Sequence, residues 1–234
     1  MKRRASPGRT ATGFAPSPNY ARNLDDRLRD QGLTEAPQDG AILLIACGAL
    51  AREVIALREA NGWGGRMVLD CLPANLHNAP EQIAPAVRAK IDDGRRRGFA
   101  SIFVLYADCG TGGALDRVCE AEGVERLPGP HCYAFFDGVE AFEARDEMRA
   151  FYLTDFLARQ FEPLIWRGFG LDRRPEMRDI LFAGYEKVVH LAQTDDPLLT
   201  AQAKDAADRL GLAFERRFTG YGELGTALAG IAAR

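Results

Sequence analysis

A chain of 234 residues, 47% of them hydrophobic, can bury one sizeable core, and two independent domains would be a tight fit. With 30 basic and 33 acidic residues the net charge is only -3, which gives no electrostatic case for nucleic acid or an anionic membrane; a small-molecule ligand or a protein partner is the expectation. No apolar run approaches the roughly 20 residues of a membrane helix. The opening MKRRASPGRT lacks the apolar segment of a secretory signal, so a soluble, cytoplasmic protein is expected. There the five cysteines stay reduced. Their odd number also argues against a complete disulfide framework, leaving metal binding, nucleophilic chemistry or burial.

Residues 1–40 carry Pro7, Pro16, Pro18 and Pro37 and only a weak helical period near Asn23–Gly32, which predicts a mobile or loosely docked arm. The fold proper, 41–234, reads as one α/β domain. AILLIA (Ala41–Ala46) is a continuous apolar run, the pattern of a strand buried on both faces. A helix follows from about Ala49 to Ala60, then a strand at RMVLDC (Arg66–Cys71). Pro80 suits the first position of the next helix, which runs to about Arg97, and SIFVLYA (Ser101–Ala107) is a third buried strand. A short helix, Leu115–Glu122, and a weak strand, Val124–Leu127, lead into PGPHCY.

The stretch from about 133 to 185 reads as an aromatic-rich helical insert that caps the sheet or forms a dimer surface, so a homo-oligomer is left open. KVVHLAQ (Lys187–Gln193) and FERRFTG (Phe214–Gly220) resume the strand pattern between Ala-rich helices. Alternation of this kind predicts a mostly parallel, Rossmann-like sheet flanked by helices.

In open α/β sheets ligands bind outside the carboxyl ends of the strands. Cys47 ends the first strand, His77 follows the second, Cys109 the third and Cys132 the fourth, so all four emerge at one edge if the strands are parallel neighbours. Three thiolates and an imidazole make a Cys₃His set, which favours zinc. Iron or an iron–sulfur cluster is the alternative, although the isolated cysteines lack the clustered spacing of ferredoxins. Each cysteine also has a plain packing role available. Cys71 at a strand end and Cys119 on the apolar side of a helix are taken as core. His131 is a second candidate nitrogen ligand, and His190 is expected to be a satisfied interior residue.

DCGTGG adds a second possibility. The backbone N–H groups of Gly110, Thr111, Gly112 and Gly113, before a helix N-terminus, form a nest for an anionic ligand or cofactor group, and the same field lowers the pKa of Cys109 and makes it a reactive, catalytic thiolate. In YLTDFLARQFE, Thr154 or Asp155 is placed to cap a helix, and the Asp of QTDD before Pro197 to cap another.

The set CGAL, LPANLHNAP, CGTGG, HCY, FYLTDFLARQFE and FTGYGEL resembles the domain-of-unknown-function family 1638, over about Ile42 to Leu228. The resemblance implies that Cys47, His77, Cys109 and Cys132 belong to recurring motifs, whereas Cys71 and Cys119 lie outside them. It also implies a link to corrinoid-dependent methyl transfer from methylated amines. No corrinoid-binding DxHxxG signature is present, so a corrinoid would sit on a partner protein. The first expectation is therefore a zinc-dependent enzyme or accessory protein acting on a small molecule in methyl or one-carbon transfer. A metal-free cysteine acid/base enzyme of racemase type and a non-catalytic metal or iron–sulfur carrier are the alternatives.

Overall fold

The computed structural model describes residues 18–234. In chain order its elements are α1 (Pro18–Asp30), β1 (Leu33–Thr34), β2 (Ile42–Cys47), α2 (Ala51–Asn61), β3 (Met67–Leu72), α3 (Ile83–Arg96), β4 (Ile102–Leu105), α4 (Ala114–Glu122), β5 (Glu125–Arg126), α5 (Cys132–Asp137) and α6 (Val139–Arg145). There follow β6 (Ala150–Thr154), α7 (Asp155–Arg159), α8 (Met177–Leu181), β7 (Lys187–Ala192), α9 (Pro197–Leu210), β8 (Ala213–Phe218) and α10 (Gly222–Ala232), with a π-helical turn at Phe161–Trp166. No helix among the described residues is long and apolar enough to cross a membrane.

The chain is α/β with mostly parallel strands, but these form two sheets. The first has the order β1-β3-β2-β4-β5, in which only β1 runs antiparallel. The second is β6-β7-β8, all parallel. The apolar runs explain the central strands: β3 is buried along its whole length and β2 nearly so, as expected of strands covered on both faces. Helix α3 turns Ile83, Val87 and Ile91 toward the same core, one stripe at helical spacing.

Two sequence expectations are corrected. The 133–185 insert is not wholly helical. FYLT lies in β6, because the buried run Val188–Leu191 of β7 gives it a pairing partner that is distant in sequence. Nor are residues 24–40 a loose arm. Leu28 is fully buried in the first-sheet core, β1 pairs with the edge of β3, and Asp25 sits between Arg52 at 2.5 Å and Arg159 at 3.1 Å. Residues 1–17 of the predicted arm lie outside the described residues.

The two sheets share a seam. Phe156 of α7 belongs to the core of the first sheet, while Leu157 and Leu164 pack against the cores of both. The chain then returns, because α10 buries Leu224, Leu228 and Ile231 against the first-sheet core beside α5 and α2. Close approach at this return depends on Gly222, where a Cβ would lie 2.2 Å from the Phe136 carbonyl oxygen.

Gly48 does the same for α1. A Cβ there would meet the Leu28 carbonyl oxygen at 2.2 Å and that of Leu72 at 3.1 Å, both rigid backbone atoms. Gly48→Ala is expected to cost about 2 kcal/mol or more, by analogy with overpacked cores. Gly64→Ala, with nothing within 4 Å of the added carbon, should be near neutral. Urea unfolding of both variants checks this, and equal midpoints would remove the packing role given to Gly48.

Candidate active site

Parallel pairing sends the strand ends of both sheets to one place. The first sheet reverses its winding at β2, with β3 on one side and β4 on the other, and such switch points open a crevice at the carboxyl edge. A cavity of about 120 Å³ lies there. Cys47, His77, Cys109 and Cys132 all line it. Opposite them stand Phe151 and Thr154 of β6, Phe156 and Leu157 of α7, Leu164 and Ile165 of the π turn, and Phe169. Sites for drug-sized ligands start at roughly 300 Å³, so this one takes something smaller.

Backbone bonds explain why Cys109 and Cys132 meet. The N–H of Asp108 donates to the Gly129 carbonyl and that of Cys109 to the Pro130 carbonyl, both at 2.9 Å, which zips the loop after β4 to the loop after β5. Cys109 is held in the left-handed region, φ 47°, a conformation that costs a non-glycine residue on the order of 1 kcal/mol. The Cys132 N–H also faces the Cys109 sulfur.

The thiols are protonated in this environment. Burial pushes Cys47 up, against the Ala49 N–H and the nearby Tyr106. Burial and then the Cys47 thiol push Cys109 up to about 12. Cys132, partly exposed, is raised well above the ordinary thiol range by burial and by Cys109 and Cys47. Cys47 thus acts on both of the others and Cys109 on Cys132, as expected of thiols that line one cavity.

The expected activation of Cys109 by the glycine loop is therefore corrected. Gly112 and Gly113 turn their N–H groups onto the Asp108 carboxylate, at 3.2 and 2.9 Å, and Thr111 donates its hydroxyl to it at 2.6 Å. Burial opposes ionisation of Asp108, but these donors hold its carboxyl below the usual range. The nest already holds an anion, and its charge raises the Cys109 thiol further. Gly110, Thr111, Gly112 and Gly113 stand outside the cavity lining and serve as a brace for the Cys109 loop.

His77 sits in the exposed turn Ala74–Asn78 at the rim; partial desolvation and neighbouring His131 lower its pKa. His190 is fully buried, its Nε2 3.0 Å from Asp155 and its Nδ1 unpartnered, so the satisfied interior histidine is only half satisfied. Cys119 packs in the core, and so does Cys71, which lies close enough to Cys47 to feel its charge. Thr154 caps α7 and Asp196 caps α9.

Zinc would need several of these donors at once. By chemistry they suit a soft divalent ion: three thiols and an imidazole bordering one cavity. As they stand, no group of three or more His, Cys, Asp or Glu side chains among the described residues is gathered to hold an ion. Coordination would require the side chains to turn from the positions seen here.

Tyr106 carried no signal beyond a phenol at the end of an apolar run. It follows β4 directly, is 1% exposed and lines the cavity, and its hydroxyl lies beside the Cys47 sulfur, a weak acceptor, with no hydrogen bond of good geometry to it or to any other group. Buried polar atoms are rarely left so.

Fold and site together define a Rossmann-like α/β protein with a thiol-lined cavity between a mostly parallel and a parallel sheet. The sequence profile described as "Protein of unknown function (DUF1638)" matches residues 71–228, and the chain belongs to that family. The match begins later than the resemblance suggested, so Cys47 and CGAL fall before it. Among curated proteins none matches the chain.

Beside the cavity runs a buried polar seam. Asp155 turns away from the cavity to His190 and to the N–H and hydroxyl of Thr194, at 2.9 and 2.6 Å. Glu53 is 4% exposed with Oε2 unpartnered, and burial raises its pKa to about 7 despite the attraction of Arg159. The folded state thus holds this proton more tightly than the unfolded chain, whose carboxyl titrates near 4.5. Its contribution is fully present below pH 4.5 and is lost as pH rises through about 7. Glu53→Gln removes the ionisation, so the stability difference, variant minus native, should grow by about 3 kcal/mol between pH 4 and pH 8. Denaturant titrations across that range check it, and a flat difference would show that Glu53 titrates normally.

Proposed function

We propose that the cavity is the centre of a soft-metal enzyme or accessory protein, with zinc the preferred ion, acting on a small molecule in methyl or one-carbon transfer. The observation that carries this is the convergence of Cys47, Cys109, Cys132 and His77 on one apolar cavity. Cys47, Cys109 and Cys132 would hold the ion, with His77 at the rim as the nitrogen donor. Bound there, zinc supplies Lewis acidity and stabilises thiolates that burial otherwise keeps protonated.

The rest is work for the chain's own residues. The Ala49 and Cys132 N–H groups favour negative charge on the sulfurs of Cys47 and Cys109. Phe156, Leu157, Leu164 and Ile165 keep water from the donors and bound the space for substrate. His77, with its lowered pKa, is neutral at neutral pH and can take a proton at the rim. At about 120 Å³ the cavity has no room for a corrinoid, in keeping with a corrinoid carried by a partner protein.

A cavity beside the donors favours catalysis over a closed carrier site, for which four ligands need no adjoining space. The racemase alternative needs a free anion nest for a carboxylate, and Asp108 occupies that nest.

Protein purified without added metal is expected to contain zinc, or to take up one cobalt(II) per chain with a sulfur-to-cobalt charge-transfer band. Because thiols must lose protons, uptake should release protons and weaken as pH falls. Cys109→Ser and Cys132→Ser should each lower affinity by a factor of about 10 or more. Folded protein that takes up neither ion sinks the proposal.

A further inference from the structure

We infer that the cavity selects an uncharged, mainly apolar molecule of about four to six non-hydrogen atoms carrying one hydrogen-bond acceptor, which the Tyr106 hydroxyl receives. This rests on the reading above only in taking the cavity as the substrate's place, and it names the substrate class.

Size comes first. A cavity of 150 Å³ lined by aliphatic and aromatic side chains accommodates benzene, so about 120 Å³ suits a ligand slightly smaller. The walls come next. Opposite the thiols the lining is Phe151, Phe156, Leu157, Leu164 and Ile165, and no Asp, Glu, Lys or Arg borders the cavity. An ionic ligand would leave water without a counter-charge, a loss that apolar walls do not repay. Of the hydroxyls that line the cavity, that of Tyr106 is buried without a well-formed hydrogen bond; its neighbour is the Cys47 sulfur, a weak acceptor that a ligand oxygen would replace. The Thr154 hydroxyl is engaged as a helix cap, accepting the Leu157 N–H at 3.3 Å, and Tyr133 is a further hydroxyl in the lining, so Tyr106 is distinguished by burial without a well-formed bond. Phe169, 45% exposed and yet part of the lining, marks the mouth through which such a molecule enters.

A phenol has one proton to donate, and burial raises its pKa further, so the hydroxyl stays a donor at any physiological pH. A carbonyl, ether or sulfoxide oxygen completes it. Zwitterionic amino acids, phosphates and protonated amines are excluded by the same walls.

The test uses the full-length chain after chelator treatment, with cyclopentanone, cyclopentene and protonated cyclopentylamine as probes and ligand-observed NMR titration as the readout. Saturable binding of the ketone and the alkene, but not of the ammonium ion, is expected. Tyr106→Phe should weaken the ketone about fivefold to tenfold, the value of one hydrogen bond, and leave the alkene unchanged, which also shows that the variant is folded. Leu164→Trp fills the cavity and should abolish both. Absent ketone binding, a ketone indifferent to Tyr106→Phe, or an ammonium ion that binds as well would overturn the inference. Metal enters neither arm: uptake of zinc without ketone binding refutes this inference alone, and ketone binding without metal uptake refutes only the metal centre.

Discussion

Parallel strand pairing is the constraint from which the site follows. Strands that all run one way must leave their carboxyl ends, with the loops that follow them, along one edge. The second sheet is of this kind, as is the first apart from its edge strand β1, and the edge of the first, at Cys47, Tyr106 and Cys109, confronts the edge of the second at Thr154. The apolar start of the segment after β6 closes the gap: Phe156 joins one core, and Leu157 and Leu164 join both. The cavity is the space left where two packed bodies meet end to end.

Closing that gap has an electrostatic consequence. Thiols withdrawn from water resist ionisation, and a thiolate at Cys47 would raise both Cys109 and Cys132. Cysteines collected in this way are inert as nucleophiles until something compensates their charge. A divalent ion would do so, and that is the physical basis of the metal-dependent role proposed above. The nearby seam of Asp25, Arg52 and Arg159 holds the helices of the two halves in register, so the donors and the apolar wall keep a fixed relation.

Much of the first sheet was legible in the sequence because its central strands are continuous apolar runs. Ile42–Cys47, Met67–Leu72 and Ile102–Leu105 differ from the expected spans by a residue or two. The second sheet was legible as strands at 187–192 and 213–218 but not as a separate sheet. Its first strand, Ala150–Thr154, is flanked by helical segments and looks like a piece of them until its partner Lys187–Ala192 is known. Convergence of the four ligand candidates followed from strand direction alone. The fate of the glycine loop did not, since a sequence shows amide donors but not that Asp108, beside them, fills the nest. Tyr106 and Glu53 escaped notice for a related reason: each is set apart by a buried oxygen that lacks a well-formed hydrogen bond, which only the folded chain defines.

The convergence of three thiols is most directly measured by bridging them. Dibromobimane, which becomes fluorescent when it links two neighbouring thiols, should join pairs drawn from Cys47, Cys109 and Cys132 in the folded protein at mildly alkaline pH, identified by peptide mass. In urea the same reagent should instead favour Cys109 with Cys119, the nearer pair along the chain. Folded protein that gives the urea pattern, or no bridge among Cys47, Cys109 and Cys132, would contradict the shared cavity on which the account depends.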